Sequence, residues 1–578
     1  MPRISSSAPS LFLFLQCAVL WSASVNAQPD PQVQKDITAA IKAAQNSTGG
    51  HVDYTKFVNV YIGTDNFGDV CPGASVPFGM VKFSTDLTGY APAGYVTDPT
   101  QKIRGLSPLH DSGTGSNLGT YGNFEIMPLM CPGGFNTCTT TLQTRERFRK
   151  NNTDVASPGY FAQTLDNDIL MEATSTRRAG LERFTFPKGQ KPYFVLDLSN
   201  DLPNSFAGGA LDIDPVKGRI TMGGQWGSSF GPGRFNYQAF ACFDLLNGGK
   251  QKLDEYGIWS GNTNGLDAKG LHQTHINRTR SLIGDQYQFG ALFSYVGSPR
   301  QITIRVGVSF VSEAQACANA ESEVGGSSFA EIEAKSKLLW NEKLSKVEID
   351  LKGTPENVTE LIYSSLYRAS LTPNNATGET QGLFAETTHP YFDSLYCSWD
   401  TYRTYYPLMA LHSPVEFAQI VDTYIDGWRK NGWMPECRAN NLPGSSGDNI
   451  VGHFAINYHN EAAALGIDLN ELYSAMLADG DLKPPQWDVQ GREVDAYTQY
   501  GYVPFSFLDV TGSGRQTREG SRTLEYAFED FAIRQVALLL NKTDDIARYT
   551  NRSLFYRNVW DPSVKSDGFQ GMLNFEIV

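Results

Sequence analysis

The chain has 578 residues, of which 19% are charged and 12% aromatic, and its formal net charge is −14. That length exceeds one ordinary core, so two domains, or one domain with a large helical assembly, are expected, and the aromatic content suits a folded extracellular protein better than a disordered one. The acidic balance, with no Lys/Arg run to offset it, argues against nucleic acid as a partner.

In chain order, residues 1–27 read as a secretory signal: Arg3 precedes an apolar centre from Leu11 to Leu20, and small residues end at Val25-Asn26-Ala27. That centre falls well short of the roughly 20 apolar residues a spanning helix needs, and no later segment could span a bilayer, so no membrane anchor is expected after signal removal. Residues 28–52 form a linker with a short helix. From 53 to 311, short apolar or alternating runs are punctuated by Gly, Pro and Asn. Tyr193–Leu198, Gln288–Phe293 and Gln301–Val308 have strand length and β-branched or aromatic content; such runs without intervening helices predict an N-terminal β-sandwich. Residues 312–354 carry a linking helix, Ser327 to Leu344.

Residues 355–578 read as helical, in Val358–Leu371, Trp399–Leu411, Pro414–Arg429, Ile450–Leu465, Leu469–Leu477, Thr523–Leu540 and Asp544–Val559. Ser413 with Glu416 predicts a capping box, Pro414 suits the first helical position, and Gly432 follows the end. Helices of similar length joined by varied loops suggest a toroid of paired helices. The toroid is expected to be incomplete here, since an open arc leaves the apolar faces of its end helices without neighbours.

Cys17 leaves with the signal, so an odd number of cysteines remains and at least one thiol is unpaired within the monomer. Cys131 and Cys138, around Pro132-Gly133-Gly134, suit a local loop disulfide in an oxidising compartment, and no CxxC or nearby His favours a metal instead. Asn-x-Ser/Thr acceptors at Asn46, Asn151, Asn277, Asn357, Asn375, Asn541 and Asn551 support secretion and predict a glycoprotein with those residues at the surface.

Several long strings occur in a telling order. Phe57 to Thr64, the run Cys71-Pro72-Gly73-Ala74-Ser75-Val76-Pro77-Phe78-Gly79-Met80, and Thr174 to Pro187 lie in the first half; Trp399-Asp400-Thr401-Tyr402-Arg403, Gly432-Trp433-Met434-Pro435, Gly444-Ser445-Ser446-Gly447-Asp448, Tyr500 to Pro504 and Thr523 to Asp530 lie in the second. Over nearly the whole mature chain these resemble glycoside hydrolase family 92, the calcium-dependent exo-acting α-mannosidases. The resemblance implies a sandwich followed by an (α/α)6 toroid, here over residues 355–578, with Ca2+ contacting the terminal mannose through hard oxygen ligands that mostly lie outside this chain. It also implies inverting hydrolysis, in which one carboxylic acid protonates the leaving oxygen while another, roughly 6.5–9.5 Å away, activates water. The family places those two in strings of the type Thr-Glu-Gly-Asn and Gly-Asn-Asp-Asp-x-Gly-Gln, neither of which occurs here. The chain is therefore expected to be C-terminally truncated, with acid and base beyond Val578; Glu576 is a poor substitute so near a fraying terminus.

Candidate sugar contacts remain. Trp399 offers an aromatic face and Asp400 a carboxylate for two hydroxyls, with Arg403 as partner or donor; the alternative has Asp400 capping a helix and pairing with Arg403 while Trp399 packs in the core. The resemblance favours substrate contact. Glu436, with Asn440 and Asn441, and Asp448 form a polar group that faces the toroid mouth or, alternatively, a solvated loop with Asp448 as helix N-cap. His110 lies in Leu109-His110-Asp111-Ser112-Gly113, which resembles a family loop reaching toward the active site, although Pro108 stands where that loop has a first histidine; a structural histidine at the domain interface is the competing reading. Glu525 and Asp530, off a shared helix face, read as one interior partner and one solvent residue. The leading function is a secreted exo-α-mannosidase acting on N-glycans or mannan, followed by a non-catalytic carbohydrate-binding remnant and by a glycoprotein-deglycosylating amidase, for which no cysteine has a nucleophile's context.

Overall fold

The computed structural model describes residues 31–46, 52–65, 68–89, 91–113, 120–227, 236–245, 252–260, 268–269, 273–277, 288–395, 401–435, 448–482, 494–504 and 519–573. After a helix α1 (Pro31–Gln45), two large antiparallel sheets occupy the first half. The eight-stranded sheet runs in the order Ser84–Leu87, Lys102–Ser107, Glu125–Leu129, Tyr193–Asp197, Phe289–Tyr295, Leu253–Ser260 and Ala268–Lys269, with Arg147–Phe148 paired to the second of these. The nine-stranded sheet runs Gln273–Asn277, Gly208–Asp214, Arg219–Gly227, Asn236–Asp244, Gln301–Ser309, Ala179–Thr185, Leu170–Ser175, Tyr160–Thr164 and Val155–Ser157. A one-turn helix α2 (Leu142–Arg145) brings the buried Arg145 against Glu125 at 2.9 Å and Asp197 at 2.6 Å.

Period-two alternation explains how the sheets pack. Along Ala179–Thr185, Phe184 meets Phe194 of the facing sheet with ring centroids 5.0 Å apart. Leu181 instead packs on Phe329 and Ile332 outside the sandwich. Arg183 also points outward, its guanidinium 3.9 Å over the Phe329 ring.

Helices follow Ser309. They are α3 (Glu313–Glu323), α4 (Phe329–Leu344) and α5 (Glu356–Ala369), then α6 (Tyr405–His412), α7 (Pro414–Asn431), α8 (Asp448–Tyr458), α9 (Leu469–Asp481), α10 (Val494–Tyr500), α11 (Glu519–Leu539) and α12 (Thr543–Arg552). Trp340 of α4 and Tyr363 and Tyr367 of α5 are buried in the sheets' own hydrophobic cluster, where Trp340 Nε1 donates to Ser75 O at 2.6 Å. A second cluster links α6 to α9, α11 and α12. Phe78, from the Pro77-Phe78-Gly79 string, belongs to this helical cluster although it lies in the sheet half.

Several element boundaries differ from the sequence reading, each for a local reason. The capping box expected at Ser413 is absent, since that hydroxyl accepts from Lys343 at 2.8 Å and Lys346 at 3.2 Å; Glu416 turns toward Lys346 at 3.3 Å. A complete capping box forms instead at Ser328 and Glu331. Helix α6 covers Tyr405–His412 of the expected Trp399–Leu411, with a turn at Tyr402–Thr404 before it and Trp399 outside the described residues, and α8 ends at Tyr458, with turns through Gly466. The helix expected over Asp544–Val559 stops at Arg552, and a hairpin, Trp560–Ser566 with Phe569–Leu573, follows. Its turn is Asp567-Gly568, both at positive φ (53° and 83°), which is the demand of a tight two-residue hairpin loop.

Candidate functional site

A buried polar seam joins the two halves, built on a short ribbon of Leu109–His110 with Tyr121–Asn123 from the sheet side and one of Asn374–Asn375 with Phe392–Asp393 from the helical side. Asp111 Oδ2 accepts from Ser394 Oγ at 2.6 Å and its Oδ1 from Asn374 Nδ2 at 3.1 Å. Lys82 Nζ donates to Asn374 Oδ1 at 2.5 Å and Gly79 O at 3.1 Å. Tyr121 OH donates to Asp393 Oδ2 at 2.9 Å. Burial pushes the Asp111 carboxyl above and the Lys82 ammonium below their ordinary values, because desolvation outweighs their mutual attraction.

Backbone strain collects at the same place. Phe78 and Ser394 hold φ of 54° each, a left-handed conformation that bulky residues rarely take. Phe78 is fixed by its N–H donating to Ser370 O and its carbonyl accepting from Asn375 N, both at 2.8 Å. Its ring then sits 6.3 Å from that of Phe392.

His110 belongs to the fold rather than to an open sugar pocket. It is fully buried, with Nδ1 2.8 Å from Lys82 O and Nε2 2.6 Å from Asp86 Oδ1. Ser107 completes the group by donating to Asp86. Gly94, at φ 86°, makes room: a Cβ there would lie 2.7 Å from His110 Nε2.

Arg403 is half exposed and lies in a second cluster. Its Nη2 donates to Glu525 Oε1 of α11 at 2.5 Å, Tyr402 OH donates to Glu525 Oε2 at 2.9 Å, and the Tyr402 ring stacks on Phe528 at 5.4 Å. Asp530, on the same helix, is buried and bound by Arg552 at 2.8 Å and Tyr497 OH at 2.7 Å, and burial lifts its carboxyl to about 6. Trp399, Asp400 and Glu436 lie outside the described residues, as does the side chain of Asp448, which begins α8. Lys82, Phe78, Asn374 and Ser394 were not singled out by sequence; the Pro77-Phe78-Gly79 string was the available signal for Phe78, while nothing in Asp393-Ser394 announces its contact with Asp111.

Cys131 and Cys138 are joined, as are Cys242 and Cys317, and Cys71 is a buried free thiol among the described residues. Asn46, Asn151, Asn357, Asn541 and Asn551 are exposed. Asn375 is half-buried, with Oδ1 accepting from Arg177, and the side chain of Asn277 lies outside the described residues. No helix of the described residues is long and apolar enough to cross a membrane.

A sheet domain seamed to a helical one is the architecture of a set of solved glycoside hydrolases. The chain superposes on a family 92 inverting mannosidase of Bacteroides thetaiotaomicron with a TM-score of 0.75 at 22% identity, covering 92% of this chain and 68% of that one. It also matches a family 92 α-mannosidase of the same organism, solved with mannoimidazole, with a TM-score of 0.72 at 24% identity over 89% of this chain and 65% of that one. In sequence, residues 57–309 match the glycosyl hydrolase family 92 N-terminal domain and residues 315–574 the family's catalytic domain. The chain belongs to glycosyl hydrolase family 92. A secreted glycosidase of Arthroderma benhamiae, described as uncharacterized, is 30% identical over 522 residues, 88% of this chain and 62% of that relative's length.

Proposed function

We propose that this protein is a secreted exo-acting α-mannosidase that removes terminal mannose from N-glycans or mannan with inversion at the anomeric carbon. The observation that carries this reading is the match of both halves to the two domains of one family, in order and joined at a seam. Support for the sugar comes from the mannosidase neighbours, and support for secretion from the apolar leader and the secreted relative. In the toroid reading, the described helices form part of an (α/α)6 ring. Trp399 and Asp400 supply a stacking face and a bidentate hydroxyl acceptor, and Arg403, the third of these candidates, is paired with Glu525.

The calcium requirement that the resemblance implies stands as part of the proposal. Among the described residues no group of three His, Cys, Asp or Glu side chains is placed to hold a metal ion, so no step is routed through calcium. The two carboxylic acids of inverting hydrolysis are likewise not assigned to residues of this chain; what its own side chains do is bind and orient the terminal sugar.

The test incubates the purified chain, with calcium, on an α-mannoside and on a high-mannose glycoprotein, and follows the products by NMR. Any mannose released is expected to appear first as the β-anomer. Release of an intact glycan would instead support an amidase, and saturable mannoside binding without any product would support a carbohydrate-binding protein.

A further inference from the structure

We propose that Ser413 and His412, gripped by Lys343 and Lys346, form an acid-released latch between the two halves of the molecule, in which a proton on His412 frees the start of α7 from the end of α4 while both cores stay folded. Lys343 lies in the last turn of α4, whose Trp340 and Leu344 are buried in the sheets' cluster. Ser413 stands at the corner between α6 and α7, whose Met409, Ala410 and Phe417 are buried in the helical cluster. The Lys343 ammonium, itself buried, donates to Ser413 Oγ at 2.8 Å and lies 4.7 Å from the Phe78 ring of that second cluster. One hydroxyl therefore carries the link.

Counting hydrogens shows why the link responds to acid. A serine oxygen offers two lone pairs and one hydrogen. Lys343 and Lys346, the latter at 3.2 Å, occupy both lone pairs, so the hydrogen is directed to His412 Nδ1, 2.8 Å away. The imidazole is thereby held neutral with its own proton on Nε2, which is buried and has no hydrogen-bond partner among the described residues. A second proton, on Nδ1, would face an oxygen with no lone pair left and would set a third positive charge beside two ammoniums. Glu416, 3.3 Å from Lys346 and 3.9 Å from Lys343, is the carboxylate that faces them, and one negative charge does not offset three. Burial and the two lysines accordingly hold His412 down at about 4, against an ordinary 6.5. The closed latch binds fewer protons than the open one, so it is firm above about 6.5 and is lost as pH falls toward 4. Among the other titratable side chains of the packed helices, Tyr405 of α6 and Tyr458 of α8 are pushed up by burial and stay neutral, and His453 of α8 meets the Phe417 ring at 6.0 Å.

Hydrogen exchange of the full chain, read by mass spectrometry at pH 7 and pH 4 with parent and variant compared at the same pH, tests the latch. His412→Asn keeps a neutral acceptor near the place of Nδ1 and cannot gain the proton. Both proteins should exchange alike at pH 7. At pH 4 the parent should exchange about tenfold to a hundredfold faster than His412→Asn in the last turn of α4 and the first two turns of α7, the population change that one histidine proton can drive, while Tyr193–Asp197 and Gln301–Ser309 stay equally protected in both. Lys346→Met returns a lone pair to Ser413 and removes one repelling charge, so its acid response should be smaller and begin at higher pH. His453→Asn should behave as the parent. If His412→Asn opens as readily as the parent at pH 4, or the strands lose protection in step with the two helices, the proposal is overturned. Should His412→Asn fail to fold, which strand protection at pH 7 reports, Lys346→Met decides: an acid response as large as the parent's overturns the latch, and a smaller one sustains it.

Discussion

Glu182 sits on the core-facing side of Ala179–Thr185, between Ala173 and Ile304 on the neighbouring strands, and neither of its oxygens has a hydrogen-bond partner among the described residues. Burial pushes its carboxyl well above the ordinary value of 4.5. An acid with a raised native value binds more protons folded than unfolded, so its contribution is fully present below about 4.5 and is lost as pH rises toward the native value. Glu182→Leu should therefore stabilise the protein by about 1–3 kcal/mol at pH 4, the cost of an unpaired buried polar group, and by more at pH 7, where the native acid must also hold its proton against solution. Urea midpoints at the two pH values check this; an equal gain at both would remove the protonation argument. The sequence reading passed over Glu182, because a charged residue beside Arg183 in a strand of alternating character is easily taken for an outward one. Only the register, which puts Phe184 inward beside it, shows otherwise.

At the scale of elements, the sequence announced those whose signals are local. Tyr193–Asp197 and Gln301–Ser309 followed from apolar and β-branched runs, and α7 from Pro414 at its start and Gly432, at φ 88°, at its end. Signals that depend on distant partners misled or stayed silent: Ser413 is claimed by two lysines of the preceding helical region, and Asp111 meets Ser394 across 283 residues. The Asp567-Gly568 turn was legible and was missed, since the helical period before it was extrapolated too far. The Cys242–Cys317 bond could not be read from spacing, but it has a clear mechanical role. It ties a central strand to α3, which lies so close to the sheet that a Cβ on Gly307 would come 2.1 Å from Ala316 O. Replacing both cysteines by alanine should lower stability by about 2–4 kcal/mol, measured by denaturant unfolding without reductant, whereas a loss near zero would mean that packing alone holds α3.

For the whole molecule, the division of cores does not coincide with the change from strands to helices. Trp340, Tyr363, Tyr367, Leu371, Phe384 and Tyr391 are all buried in the sheets' cluster. A fragment ending at Val311 should lack this lid and unfold without cooperativity, while one continuing to Leu395 should melt as a single transition by circular dichroism. Equal cooperativity in both would show the sheets to be self-sufficient. The exposed acceptors Asn46, Asn151, Asn357, Asn541 and Asn551 are spread over both halves, away from the buried seam.

Cys71 gives the molecule a built-in clock. Its N–H donates to Ser112 Oγ, beside Asp111, and burial lifts its thiol to about 11, so the reactive thiolate scarcely exists while the sulfur stays buried. Alkylation of this sulfur then records the excursions that expose it, and the rate of labelling becomes a count of those openings.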